Sequence, residues 1–189
     1  CSLLLVQAAR QLGDLLESAG RAAEARQWRD DAVRTAASVR EVFWDESTGL
    51  FLAATRTCRV PDIWGSAFAV WLGVTTPDQS QRIARYFKDH YDELVLHGQV
   101  RHTPGFLDWH GHRTAANSGE YQSGGFWATP VGWFVYALDL VDAVLADRTV
   151  VDLVRFFQIH GACEWINREG KHQLPGYTAS AALFLYAVS

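Results

Sequence analysis

The chain has 189 residues, 49% of them hydrophobic, and a formal net charge of −4. That composition supplies a sizeable core and excludes a disordered chain, and the mild negative charge excludes the basic footprint of a nucleic-acid binder. No apolar run reaches the roughly 18 residues of a membrane span, so the expectation is a soluble chain with the cytoplasm favoured as its compartment. Cys1, Cys58 and Cys163 are odd in number and far apart, which points to free thiols rather than to a disulfide framework or a CxxC metal site. The chain is rich in Trp, with 8, and contains no Met. It opens on Cys1-Ser-Leu-Leu-Leu-Val6 with no charged segment before it, so this run reads as a helix entered partway rather than as a signal peptide.

Helical signals dominate. Residues 2 to 18 form a first apolar helix, closed by Ala19-Gly20. Residues 22 to 43 form a second, with Ala25, Trp28, Ala32, Val33, Ala36, Val39 and Phe43 at spacings of three and four on one stripe and Arg and Asp opposite. Asp45 to Gly49 is a turn cluster, and Leu50 to Thr57 a short hairpin or extended arm. A third helix, 64 to 73, is apolar on all sides and therefore buried all round. A fourth begins at Thr76-Pro77 and carries Ile83, Tyr86, Phe87, Tyr91 and Leu94 on one face. A long polar stretch from His97 to Gly125 follows, of the length usually given to functional loops. A fifth helix, 130 to 145, is again apolar nearly all round. A sixth, 149 to 159, is amphipathic. A second loop spans 161 to 176, and a seventh helix 177 to 188.

Fully apolar helices thus alternate with one-sided ones, as an inner and an outer ring would require. The pattern predicts an all-α (α/α) barrel segment of about seven helices, a partial or half barrel occupying residues 1 to 189, though a bundle or solenoid shares part of it. The inner helices begin alike. Ile63-Trp-Gly-Ser-Ala67, Phe126-Trp-Ala-Thr-Pro130 and Tyr177-Thr-Ala-Ser-Ala181 each place a hydroxyl among small residues, and Cys1-Ser2-Leu3 fits the end of the same pattern. The small residues allow close approach at the barrel axis. The hydroxyls read equally as helix caps.

The loops leading into the inner helices, 44–62, 95–127 and 160–176, share one end of such a barrel and hold most of the unusual residues. Asp62 is either the cap of the third helix or a carboxylate at the barrel mouth. The second loop carries Arg101-His102, Trp109, His110, His112, Glu120, Tyr121, Gln122 and Trp127. This mixture suits a sugar, with aromatic faces for the C–H side of a pyranose and polar groups for its hydroxyls; packing of the loop is the plain alternative. His110-Gly-His112 lacks a third ligand at a recognisable spacing, so no metal is expected, and nothing calls for a cofactor. The third loop holds Glu164-Trp165-Ile-Asn167, where Glu164 is either a general base or a solvated loop residue. Glycoside cleavage needs two carboxyl groups across the scissile bond, and Asp62, Glu120 and Glu164 are the candidates.

Four stretches, Phe43-Trp-Asp-Glu-Ser-Thr-Gly-Leu-Phe51, Asp62-Ile-Trp-Gly-Ser-Ala67, Glu120-Tyr-Gln-Ser-Gly-Gly-Phe-Trp127 and Glu164-Trp-Ile-Asn167, resemble the six-hairpin glycosidases, and within them the α-L-rhamnosidase-like and glycogen-debranching-like branch. The resemblance implies six outer–inner hairpins closing a barrel, of which the seven helices here are the sixth to the twelfth. It implies Glu164 as the general base, Asp62 with a sugar-binding role ahead of a catalytic one, and Trp64, Trp109, His110, Glu120, Tyr121, Gln122, Trp127 and Trp165 as sugar-binding residues. The general acid then lies upstream of Cys1. Ser123 departs from the Asn that relatives often have there. The implied activity is inverting hydrolysis of a glycosidic bond in an oligo- or polysaccharide. A non-catalytic carbohydrate-binding or structural half barrel, and a sugar epimerase or isomerase, are the alternatives. A half barrel leaves an apolar flank at each broken edge, so either a missing N-terminal half or self-association is expected to cover them.

Overall fold

The computed structural model describes residues 2–56, 58–105 and 119–188. Among these, seven long helices occur, the number that the hydrophobic periodicity predicts, with the boundary between the fifth and sixth displaced: α1 (Ser2–Ser18), α2 (Ala22–Val42), α3 (Ile63–Trp71), α4 (Pro77–Asp89), α6 (Val131–Asp139), α7 (Ala143–His160) and α8 (Thr178–Val188). A single turn, α5 (Tyr91–Leu94), prolongs the apolar face of α4 beyond a break at His90. α4 opens on a capping box, Thr76 with Gln79, and Pro77 fills its first turn, where no N–H is missed.

The helices alternate as an (α/α) ring requires. α3 and α6 pack on one another, and α6 on α8 and α7; α2 packs along α1. The core gathers Ile63, Ala67, Ala69 and Val70 of α3 with Val131, Phe134, Ala137 and Leu138 of α6, and the stripes of the outer helices close on it through Ile83, Phe87 and Leu153. Small residues do set the inner spacing: a Cβ placed on Gly132 of α6 would fall 2.3 Å from the Cβ of Ala187 on α8. Along α2 the buried line is Ala25, Ala32, Ala36 and Val39, whereas Trp28 and Val33 of the expected stripe are exposed. α1 and α8 both present large apolar side chains to the outside: Leu4, Leu5 and Leu15 on one, Leu185 and Tyr186 on the other.

Two expectations need correction. The break between the fifth and sixth helices falls at Leu140–Asp142 rather than beyond 145, because Asp142 caps α7 by accepting the Leu145 N–H at 3.0 Å and is itself paired with Lys88 at 3.0 Å. The two long loops are also not irregular throughout. Besides the small hairpin β1 (Trp44–Asp45) with β2 (Leu50–Phe51), the chain forms a five-stranded antiparallel sheet, β3 (Val95–Leu96), β4 (Gln99–Arg101), β5 (Phe126–Trp127), β6 (Cys163–Ile166) and β7 (His172–Pro175), paired in chain order. β3 and β4 are joined by His97-Gly98, both at positive φ, +50° and +72°. This two-residue connection matches the strand twist and needs a residue that tolerates the left-handed region. Gly98 is doubly required, since a Cβ there would meet the Leu153 N at 2.3 Å and the Thr149 O at 2.5 Å on α7.

Gly98→Ala is therefore expected to destabilise the fold by about 3 kcal/mol or more, combining left-handed strain with overpacking against helix backbone. Urea unfolding of the wild type and the variant measures it; an unchanged midpoint would show that the hairpin is not seated on α7 as described.

Candidate functional site

The site begins where α3 enters the core. Its first residues are bound on three sides by strand backbone. The Asp62 N–H donates to the Phe51 carbonyl at 2.8 Å, the Ile63 N–H to the His102 carbonyl at 2.9 Å, and the Trp64 indole N–H to the Val100 carbonyl at 3.3 Å. Ser66, fully buried, accepts the Phe51 N–H on its hydroxyl at 3.0 Å. The Ser66 hydroxyl of the repeat is thus engaged by a strand rather than by its own helix start. Ser180 on α8 acts similarly, donating to the Cys163 carbonyl of β6 at 2.7 Å. In both cases an inner-helix hydroxyl fastens a strand upstream of the helix, β2 for Ser66 and β6 for Ser180.

That docking assembles an aromatic row. The register sets Val100, Trp127 and Trp165 side by side on β4, β5 and β6. Trp64 meets Trp127 edge-on at 5.5 Å between ring centroids and stacks on His102 at 3.8 Å, nearly parallel. Tyr121 lies 5.1 Å from Trp127 and 6.0 Å from Trp165. It comes from the exposed turn Glu120-Tyr121-Gln122, closed by the Ser123 N–H donating to the Glu120 carbonyl. The Trp127 indole N–H donates back to the Tyr121 carbonyl at 3.2 Å. Gly125 permits this packing: a Cβ there would lie 2.6 Å from the Tyr121 carbonyl oxygen and 2.8 Å from the Trp165 ring.

Asp62 borders the row through His102. Its carboxylate caps α3, accepting the Gly65 N–H at 2.8 Å, and lies 3.9 Å from His102 Nε2. It also lines a cavity of about 310 Å³ between the starts of α1 and α3, walled by Phe43, Phe51 and Leu52. Glu164 is not in a loop but on β6, nearly buried, and its Oε2 has no hydrogen-bond partner among the described residues. No ring contact or hydrogen bond among the described residues ties it to the aromatic row, and alternation along the strand turns it away from its neighbour Trp165.

The structure thus brings Trp64, Tyr121, Trp127 and Trp165 together, holds Asp62 beside them, puts Glu120 and Gln122 on the adjoining turn, and sets Glu164 one residue from the row. Trp109, His110 and His112 lie outside the described residues. No group of three or more metal-ligating side chains occurs among the described residues, and none of the described helices is long and apolar enough to cross a membrane. One residue escaped the candidate set. His102 was seen only as part of a basic pair, and its stacking partner, Trp64, is distant in sequence.

Burial pushes the His102 imidazole below its ordinary value of 6.5, and the Asp62 charge only partly offsets this. The folded state therefore binds fewer protons than the unfolded one below pH 6.5. The stability tied to neutral His102 is complete above that value and drains as pH falls toward the depressed pKa. His102→Phe, which keeps a ring for Trp64, is expected to flatten the loss of stability between about pH 6.5 and 5 in denaturant titrations. An unchanged pH slope would place the sensitivity elsewhere.

No family model matches the chain, and no curated protein does. Solved structures do. An uncharacterized conserved protein from Thermus thermophilus superposes with a TM-score of 0.70 at 19% identity, over 100% of this chain and 47% of that one. The GH63 mannosylglycerate hydrolase of the same organism, in complex with glucose, gives 0.70 at 18% identity over 98% of this chain and 46% of that one. Its complex with Tris and D-glycerate gives 0.71 at 18% identity, over 100% and 45%. The chain thus spans less than half the length of these proteins, and it shares with them the mostly helical (α/α) fold found in a glycoside hydrolase.

Proposed function

We propose that this chain forms the C-terminal part of a glycoside hydrolase barrel that cleaves a glycosidic bond of an oligo- or polysaccharide with inversion, Glu164 activating the attacking water. The observation that carries the reading is the aromatic row Trp64–Trp127–Trp165 with Tyr121, built where inner helix α3 meets the sheet; the nearly buried Glu164 is next to Trp165 in sequence on β6, on the other face of the strand. An aromatic ring takes the apolar face of a sugar, and the Glu120 and Gln122 turn and Asp62 offer groups for hydroxyls; a mostly aromatic wall with a few placed polar groups is the usual make-up of a small-ligand site. An inverting mechanism needs a second carboxyl on the far side of the bond, about 6.5–9.5 Å from the base, and a part of the protein upstream of Cys1 is proposed to supply it. The exposed leucines of α1 and α8 support a further part of the ring, or a second copy, lying against them.

The engagement of Asp62 in capping α3 favours a second reading, in which this chain binds carbohydrate and the chemistry lies elsewhere. One experiment separates the two. Glu164→Gln in the whole protein is expected to lower turnover of mannosylglycerate and of p-nitrophenyl α-mannoside, α-glucoside and α-rhamnoside by about 10²–10⁴-fold while sugar binding stays within a few-fold. The anomer first formed should be inverted by NMR. Undiminished turnover in the variant would remove Glu164 as the base, and absence of turnover in the wild type would leave the binding reading.

A further inference from the structure

The two oxygens of Asp62 have different surroundings. Oδ1 accepts the Gly65 N–H at 2.8 Å and lies 3.9 Å from His102 Nε2. Oδ2 has no hydrogen-bond partner among the described residues. It lies against the Gly65 backbone, where a Cβ would fall 2.6 Å from it. The same glycine and the same carboxylate line the cavity of about 310 Å³ between the starts of α1 and α3. Glycine is a poor residue inside a helix, and here it leaves room at Oδ2.

The walls of this cavity suit one sugar ring. Phe43 and Phe51 supply rings for an apolar face, and Ser2 and Thr55 bring hydroxyls beside the carboxylate. Small-ligand sites run from about 300 to 1,000 Å³, so this volume, at the lower end, fits a single ring rather than a chain. Electrostatics narrow the ligand further. Asp62 is the only charged side chain among the described lining residues. Arg59, which donates to the Thr55 carbonyl at 3.4 Å, is exposed and forms no part of the wall. Burial lowers the His102 pKa, so no cation stands behind the carboxylate at neutral pH. The Ile63 and Gly65 N–H groups at the start of α3 are already taken, by the His102 carbonyl and by Asp62 itself. A half-buried carboxylate in such a setting accepts from hydroxyls and repels a second anion.

We infer that the cavity is a second sugar subsite beside the aromatic row, one that takes a single uncharged pyranose through a hydroxyl donating to Asp62 Oδ2 and turns away sugar acids. The inference rests on the carbohydrate reading above and narrows its substrate class. Asp62 joins the two places: His102, stacked on Trp64 of the row, lies on its Oδ1 side, and the cavity receives Oδ2. A substrate that fills both has at least two sugar units, and the unit in the cavity is neutral.

Alanine methyl and indole N–H signals of the whole protein read the two places separately, because Ala53 and Ala54 line the cavity while Trp127 and Trp165 belong to the row. On titration with D-glucose or D-mannose the Ala53 and Ala54 methyls are expected to shift, and with D-glucuronate to stay in place. Asp62→Asn keeps a good cap for α3 but removes the charge. It is expected to weaken the neutral-sugar response of these methyls about five-fold or more and to admit D-glucuronate. Ala54→Leu fills the cavity and leaves Asp62 in place. It is expected to abolish the Ala53 response while Trp127 and Trp165 still answer to an oligosaccharide, and it carries the test if the Asn variant fails to fold. Equal shifts with D-glucuronate in the wild type, or an unchanged response in either variant, would overturn the inference. The failures separate: indole shifts beside silent Ala53 and Ala54 methyls sink only the subsite, whereas silence at both places sinks the carbohydrate reading with it.

Discussion

The docking of the first turn of α3 onto strand backbone is the constraint from which the site follows. A helix that is apolar all round can be buried, but its leading N–H groups cannot be left without acceptors there. In this chain the carbonyls of Phe51 and His102 and the carboxylate of Asp62 fill that need. Each of these acceptors belongs to a segment carrying site residues. The price of burying α3 is thus met by the same backbone that fixes Trp64 against His102 and Trp127. Ser66 adds the reverse bond, from strand N–H to helix hydroxyl, so helix and strands are locked in one register.

The pattern is used again at α8, where Ser180 holds the Cys163 carbonyl. That bond sets the start of β6 and with it the level of Glu164 and Trp165 in the sheet. The sheet itself is small, with two of its five strands only two residues long, and would not stand alone. It persists because inner helices hold it at Val100, His102 and Cys163, and because the β3–β4 turn is seated on α7. Rings and carboxylate are therefore carried on rigid backbone rather than on loops, which is what a binding surface for a weakly hydrophobic ligand such as a sugar demands.

Much of this was legible in the sequence for a physical reason: helix burial is written as periodicity. The one-sided stripe of Ala25, Trp28, Ala32, Val33, Ala36, Val39 and Phe43, although Trp28 and Val33 of it are exposed, and the all-round apolarity of 64 to 73 separate outer from inner helices without any structure. The Ser and Thr repeat was legible too, but its purpose was not, since a hydroxyl near a helix start reads as a cap until its partner on the preceding strand is known. The sheet was hidden because its strands are too short to show alternation. Only Val-Leu-His-Gly-Gln-Val, with Gly98 between Val-Leu and Gln-Val, held a turn residue between two short extended pairs. The break at Leu140 was masked by the apolar run through it, although Asp142 is an ordinary cap residue. Among the site residues, the tryptophans announced themselves by type, while His102 matters through a partner distant in sequence, which no local pattern encodes.

The central claim is that the Trp64–Trp127–Trp165 row is where carbohydrate binds. The indole N–H resonances of the 8 Trp give a direct reading, one signal for each. On titration with mannose- and glucose-containing oligosaccharides, the Trp64, Trp127 and Trp165 signals are expected to shift together with one dissociation constant while those of Trp28 and Trp71 stay in place. No shift at the three, or shifts centred on Trp28 or Trp71, would contradict it.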